Sequence, residues 1–369
     1  KLEKYSHKVE KFKPNFNEPL RFFIMTNRHT TALKPAQTNI ANALKDLGYE
    51  VCLSVESNSM EDIHMGLHFE KLFKFKAHVT ININHINNTF IHNKTMNFIW
   101  FQDFMPAITG NENLHIRDKD FVYSMYKDID HYLENKNISF KRRGPCSNTN
   151  VFFEDKNIIR ENKIVFIGNL SPLEDLEFAF GDRPISIVKD LLKKGKNVSR
   201  DTLFFIAKQF NIDPIGFYGH VSPVLIRIMA VEWLCKVSPI DVEIYGNKEW
   251  KENKIIKKFY KGSLTYGKEV KDVCNSAKYA LIPTTNYLLM NRMVESVACG
   301  CIPIVYDSVK YNDDPPYYEK DILYFNTKET LKECFNKEYK GKPQNILKGN
   351  TFNDFAQEII KTINKELSC

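Results

Sequence analysis

The chain has eight cysteines, at 52, 146, 235, 274, 299, 301, 334 and 369, yet no CxxC pair. Nor do they cluster with histidines at zinc-ligand spacing, which excludes the common structural zinc modules. Scattered thiols of this kind suit a reducing compartment. No GxGxxG string follows the first apolar run, so a dinucleotide-binding fingerprint is missing. No RNP or zinc-finger pattern accompanies the net charge of +7, and no nucleic-acid partner is expected. No signal-like apolar stretch is found, and no run reads as long enough to cross a bilayer. The expected location is therefore cytoplasmic, at most peripheral to the inner face of a membrane. Solenoid repeats are also absent.

What is present is a folded, two-domain composition. Apolar residues make up 43% and aromatics 13% of 369 residues, enough for sizeable cores and too much for disorder. Residues 1–20 form a basic leader, with Lys1, Lys4, Lys8, Lys11 and Lys13 interleaved with Leu2, Tyr5, Val9 and Phe12. Its apolar face is small, so a solvated leader is favoured over an interfacial helix with weak membrane contact. A start at Lys1 rather than Met reads as a trimmed or processed end.

Apolar runs alternate with helical segments along the rest of the chain. Strands are expected at Arg21–Thr26, 49–55, Ala77–Asn82, Asn97–Phe101, Asp120–Met125 and Ile138–Lys141. The turn-rich stretch 142–150 then reads as the exit from a first domain. A second series begins at Lys163–Ile167 and resumes at Asp241–Tyr245, Lys278–Ile282, Cys301–Tyr306 and 322–325. Between them, 172–217 and His220–Val237 have helical periodicity and no functional reading. This alternation predicts an α/β chain with parallel sheets covered by helices on both faces. Ligands of such sheets lie at the carboxyl ends of the strands.

The most informative stretch runs from Val242 to Ser308. Arg292 and Glu295, three apart on a helix expected over Asn291–Cys299, share one face. An arginine there can clasp a phosphate, aided by the helix terminus, and the glutamate can accept from a sugar diol. Spacing alone equally fits a surface ion pair followed by a Gly300 cap.

The runs IYGNKEW (244–250), KGSLTYGKEVKDVCNSAKYALIPT (261–284) and NRMVESVACGCIPIVYD (291–307) resemble the donor half of two-domain GT-B glycosyltransferases. The likeness is greatest to the spore-maturation-type (CgeB-like) group, and WFQDFMP (100–106) resembles its Trp-x-Gln-Asp stretch. The resemblance is good over roughly 240–330 and architectural elsewhere. It implies two Rossmann-like, doubly wound domains facing a cleft: 21–155 for the acceptor, 156–348 for the donor, and 349–369 as a helix crossing back. It implies a nucleotide-diphosphate sugar as donor, with no separate cofactor and the base undetermined. The acceptor hydroxyl would belong to a glycan, a lipid-linked glycan or a protein.

On this likeness Glu295 would hold the ribose and Arg292 the diphosphate, with Asn291 beside them. Gly168 and Asn169, Gly246 and Asn247, and Thr284 would line the donor edge. Ser263, Leu264 and Tyr266 would lie near the base. Many retaining members carry a glutamate eight residues before the ribose-binding one; Tyr287 stands there instead. Arg28, His29, Thr30 and Thr31 would face the acceptor. Asp103 is the first candidate for general base and His85 the second. An aspartate after a strand is also a frequent turn former. The DxD strings at Asp118–Asp120 and Asp128–Asp130 suit charged helix faces, and no metal site is expected. A fucosyltransferase-like or exostosin-like enzyme and a non-catalytic nucleotide-sugar-binding domain remain as alternatives.

Overall fold

The computed structural model describes residues 12–30, 33–56, 66–110, 114–196, 198–284, 289–307, 318 and 320–368. Its contacts divide the chain into two units. One comprises the chain up to Cys146 together with residues from Gly349 onward; the other is Ser147–Lys348.

The first unit is built on six strands: β1 (Arg21–Thr26), β2 (Glu50–Val55), β3 (Val79–Ile83), β4 (Met96–Phe101), β5 (Asp120–Ser124) and β6 (Phe140–Arg142). They pair in the order β2-β1-β3-β4-β5-β6, all parallel. Every residue of β3 and β4 is buried, as expected of central strands covered on both faces. The order reverses between β1 and β3, a switch point where side chains at the carboxyl edge can converge.

The second unit repeats the scheme with β7 (Glu161–Ile167), β8 (Asp241–Tyr245), β9 (Tyr260–Gly262), β10 (Ala277–Ile282), β11 (Ile302–Tyr306) and β12 (Leu323–Phe325). Their order is β12-β11-β10-β7-β8-β9, again parallel throughout, with the switch point between β7 and β10.

The stretch after β7 is helical, as its periodicity implies. Residues 172–217 hold three helices, Leu173–Phe180, Asp182–Lys193 and Arg200–Gln209, and the start of a fourth. The fourth, Pro214–Val237, is a single 24-residue helix that continues through Pro223. Gly216, Gly219 and Pro223 make the sequence look broken there, whereas Asp213 caps the helix by accepting from the amides of Ile215 and Gly216. By length and composition this helix is apolar enough to cross a bilayer, contrary to the sequence expectation. Here it is the core helix of its unit, burying Phe217, Val221, Leu225, Ile226, Trp233 and Leu234. The edge strand β9 and the helices Gly66–Phe75 and Lys328–Cys334 are too short or too weakly patterned to show in sequence.

The helix Phe352–Ser368 completes the first unit. Phe355 is fully buried, edge-on to Trp100 at 5.1 Å and Tyr123 at 5.2 Å. Arg143 lies over the same ring at 5.0 Å and reaches Glu358 at 3.4 Å. Lys119 pairs with Glu366 at 2.9 Å. Near residue 12, Phe12 lines a small pocket together with Leu72, Phe90 and Ile91, and the Phe16 ring lies 5.7 Å from His78. Leader residues 1–11 lie outside the described residues. Phe355→Ala should destabilise the first unit by ~3–5 kcal/mol, because it empties a site under two aromatic rings. Urea unfolding followed by tryptophan fluorescence checks this.

Candidate functional site

The helix Asn291–Ala298 is held firmly at its far end. Arg160 donates to the carbonyl oxygens of Cys299 and Ala277, each at 2.6 Å. Gly300 follows with φ of 85°, and a Cβ there would fall 2.6 Å from the Arg160 guanidinium. Met293, Val294, Val297 and Ala298 anchor the helix in the core. Its first turn therefore presents Arg292 and Glu295 at the carboxyl edge beside β10, with Asn291 exposed next to them.

Glu295 is 4% exposed, and its Oε2 lies 2.8 Å from Arg292 Nη1. The guanidinium is close but not aimed. Both atoms are buried, and neither has a hydrogen-bond partner among the described residues. Burial pushes the Glu295 carboxyl above the usual range, opposed by Arg292 and by the nearby Tyr266 phenol. The Tyr266 ring packs edge-on to buried Phe152 at 5.5 Å. So Arg292, Glu295 and Tyr266 stand together. Buried polar atoms without partners are uncommon and mark places where a ligand can complete the bonding.

Gly168, Asn169, Gly246 and Asn247 form a second cluster, at the ends of β7 and β8. A Cβ on Gly246 would fall 2.1 Å from the Gly168 carbonyl oxygen, so only glycine fits. The two loops interlock. Asn169 Oδ1 accepts from the Asn247 amide at 3.1 Å, and Asn247 Oδ1 from the Leu170 amide at 2.7 Å. The Gly168 amide donates to Tyr245 O at 2.9 Å, and Trp250 donates to Gly168 O at 2.8 Å. The amides of Gly168 and Leu170 thus already have partners within the unit. Ser263 is exposed, Leu264 packs on the core under the helix Asn291–Ala298, and Thr284 is half-buried. Tyr287 and Thr31 lie outside the described residues.

In the first unit Asp103 follows β4 and is exposed. Asn84, in left-handed backbone (φ 62°) after β3, donates to Asp103 Oδ2 at 2.7 Å. Its Oδ1 accepts from the amides of Gln102 at 2.7 Å and Asp103 at 3.2 Å. His85 is the next residue, exposed as a whole, with its ring held below the usual histidine range by desolvation. Asp103 and His85 thus share one edge, and Asn84 orients the first of them.

The Arg28 loop is held from below by residues the sequence reading passed over. The Arg28 amide donates to Glu56 Oε2 at 2.8 Å, and Glu56 Oε1 lies 3.1 Å from His68 Nε2. His68 Nδ1 lies 2.7 Å from Ser54 Oγ. The three side chains are buried, with Ser54 2% and His68 4% exposed. One tautomer satisfies the chain: the Ser54 hydroxyl donates to Nδ1, and Nε2–H donates to the carboxylate. His29 donates its amide to Asn27 Oδ1 at 2.8 Å, and the Thr30 hydroxyl donates to Asn27 O at 3.1 Å. A buried serine cannot meet a substrate, so this chain acts on the loop.

In each DxD string the second aspartate is held by an arginine. Arg117 grips Asp120 at 2.6 Å, with Asn88 and Asn97 also donating to it. Arg142 grips Asp130. Among the described residues no group of three His, Cys, Asp or Glu side chains forms a metal-holding set.

A glycosyl transferase-like family model matches residues 227–348. Three solved structures share the fold. Sucrose-phosphate synthase from Thermosynechococcus elongatus is 10% identical, with a TM-score of 0.56 over 95% of this chain and 99% of that one. AviGT4, a glycosyltransferase involved in avilamycin A biosynthesis, is 10% identical, with 0.55 over 95% and 98%. WaaG, a glycosyltransferase involved in lipopolysaccharide biosynthesis, is 9% identical, with 0.52 over 92% and 98%. No curated protein matches the sequence. The chain therefore has the GT-B architecture, and its matched region is glycosyltransferase-like.

Glu56→Gln replaces an acceptor by a donor that faces His68 Nε2–H. It should lower the unfolding free energy by roughly 2 kcal/mol, as for other buried hydrogen bonds left unmade. Hydrogen exchange at Arg28 should rise with it. An unchanged exchange rate in residues 27–30 would show that the loop needs no such support.

Proposed function

We propose that this protein is a glycosyltransferase moving a sugar from a nucleotide-diphosphate sugar to an acceptor hydroxyl. The observation that carries the reading is the Arg292–Glu295 pair at a sheet's carboxyl edge, a half-buried arginine beside a buried glutamate, with one buried polar atom on each lacking a hydrogen-bond partner among the described residues. A nucleotide diphosphate matches both needs. Its diphosphate would take the guanidinium, and its ribose diol would donate to the carboxylate. The Arg-x-x-Glu run followed by Ala298, Cys299 and Gly300 supports a reading within the spore-maturation-type group of these enzymes.

Transfer needs the departing diphosphate stabilised where charge builds up. Arg292 and the first turn of its helix supply fixed positive charge there. This reading requires no metal ion and no further cofactor. The acceptor would approach the first unit, with Arg28 and His29 contacting it. Asp103, oriented by Asn84, would take the acceptor proton as carbon–oxygen bond formation proceeds. His85 is the alternative base; its lowered pKa leaves it neutral, and able to accept a proton, at neutral pH. Candidate acceptors are hydroxyls of glycans, lipid-linked glycans or proteins. The free thiols at seven described positions fit a reducing, cytoplasmic setting.

A thermal-shift series with UDP, GDP, CDP and TDP tests the donor site, since binding to the native state raises the midpoint. One nucleotide should stabilise the protein, and Arg292→Ala should weaken that binding by roughly ten- to a hundred-fold, the range for lost charge-assisted hydrogen bonds. Equal shifts in the two proteins would refute the assignment. Transfer with that nucleotide's sugars should persist after metal chelation; loss of turnover in EDTA, restored by a divalent ion, would overturn the metal-free mechanism.

A further inference from the structure

The crossover from β8 to β9 in the second unit carries a concentrated, uncompensated charge. Residues 248–261 hold six lysines, Lys248, Lys251, Lys254, Lys257, Lys258 and Lys261, against two glutamates, Glu249 and Glu252. All six lysines are exposed. The lysines that bracket the run are paired: Lys236 lies 3.5 Å from Glu232, and Lys268 lies 2.6 Å from Asp272. The six between them have no carboxylate partner among the described residues. Like charges packed into so short a segment repel one another, and an anionic partner would relieve that repulsion.

The segment is held in place by its apolar side. Trp250 and Ile256 are fully buried. Asn253 donates to Glu232 Oε1 at 2.7 Å, and its own Oδ1 accepts from the amides of Ile255 and Ile256. The Lys251 ammonium lies over the Tyr260 ring at 5.5 Å, and the Lys258 ammonium over the Phe259 ring at 4.8 Å. The Tyr260 hydroxyl donates to Gly246 O at 2.9 Å. The two ends of the crossover are thus neighbours at the outer edge of the sheet, where β9 is the last strand. A lysine on an edge strand discourages pairing with another chain. That accounts for Lys261 in β9, but not for the five lysines that precede the strand.

We propose that this lysine edge is an adsorption surface for an anionic lipid bilayer. Three features select that occupant. The run contains no arginine, whose fork suits a discrete phosphate; ammonium groups on flexible stems suit a diffuse negative surface. Its helical pieces, Lys248–Glu252 and Lys257–Phe259, are too short to lie along a nucleic-acid groove. Its aromatic rings are buried or half-buried, and those of Tyr260 and Phe259 are already covered by lysines, so bases have no stacking platform. Every apolar side chain of 248–261 is buried or half-buried, so adsorption is electrostatic and shallow. The surface stands apart from the donor site. Where the donor reading holds, Asn247, directly before Lys248, would be carried to the lipid, and a lipid-linked glycan becomes the preferred acceptor.

Sedimentation of the full chain with lipid vesicles tests the proposal. The protein should pellet with vesicles holding about one-third phosphatidylserine, not with phosphatidylcholine alone, and added salt should release it. Combining Lys254→Gln, Lys257→Gln and Lys258→Gln should weaken the partition roughly a hundredfold, at about fivefold for each lysine near an anionic surface. Combining Lys45→Gln, Lys94→Gln and Lys141→Gln removes the same charge from exposed positions of the first unit and should leave the partition close to that of the wild type. Three results would overturn the proposal. The first is no adsorption to the phosphatidylserine vesicles. The second is an equal loss in both variants, which would reduce the effect to net charge. The third is displacement from the vesicles by an equal charge of duplex or single-stranded DNA, which would assign the edge to nucleic acid. None of these outcomes depends on whether a nucleotide sugar binds.

Discussion

A charged pair taken out of water sets the terms for the second unit. Placing Glu295 below the surface beside a half-buried Arg292 costs several kcal/mol for the carboxylate before their attraction returns any of it. Here the attraction is incomplete, because the two groups are close without a well-directed hydrogen bond. The surrounding fold must therefore hold them. It does so by fixing the helix at its opposite end, where Arg160 bridges Cys299 and Ala277, and by packing Met293, Val294 and Val297 into the core. The resulting first turn is rigid and electrostatically unsatisfied, a combination suited to a ligand carrying both an anion and a diol.

The two units apply the same economy at their sheet edges. Each reverses its strand order beside a central strand, and Arg28, His85, Gly168 and Arg292 come after the strands that flank that reversal, with Asp103 and Gly246 one strand further out. Around them, polar side chains secure the loops. Asn247 and Asn169 lock the ends of β7 and β8 together, Asn84 orients Asp103, and Glu56 with His68 and Ser54 holds Arg28. Amides in these loops that have partners inside the protein are not open to ligands, so recognition falls more heavily on side chains. Close backbone approach, as at Gly246 against Gly168, adds stiffness that a larger residue would destroy.

Most strands were legible because continuous apolar runs of five or six residues bounded by Gly, Pro or Asn have few other interpretations. Strand ends shifted by a residue or two, as with Val79–Ile83 against an expected 77–82. The helical region after β7 was less readable, since glycines and an internal proline interrupt a helix that tertiary packing nevertheless keeps whole. Of the site, Arg292 and Glu295 stood out through the resemblance of their run, since their spacing alone fits a surface ion pair as well. The burial of their unpartnered atoms could not, because it depends on neighbours distant in sequence. Asn84 offered a weak sign, an asparagine directly after a strand. Ser54, Glu56 and His68 offered none, since their link spans an intervening stretch that carries no pattern.

Because the helix Phe352–Ser368 fills the first unit's core, that unit is made from two separated segments with the second unit inserted between them. During synthesis, the inserted body has its whole sequence available before the outer one does. The outer body waits, with the rings of Trp100 and Tyr123 uncovered, until Phe355 emerges from the ribosome. Its nascent form is thus exposed to aggregation and to chaperone binding for the time needed to translate some two hundred residues, on the order of ten to forty seconds at ordinary elongation rates.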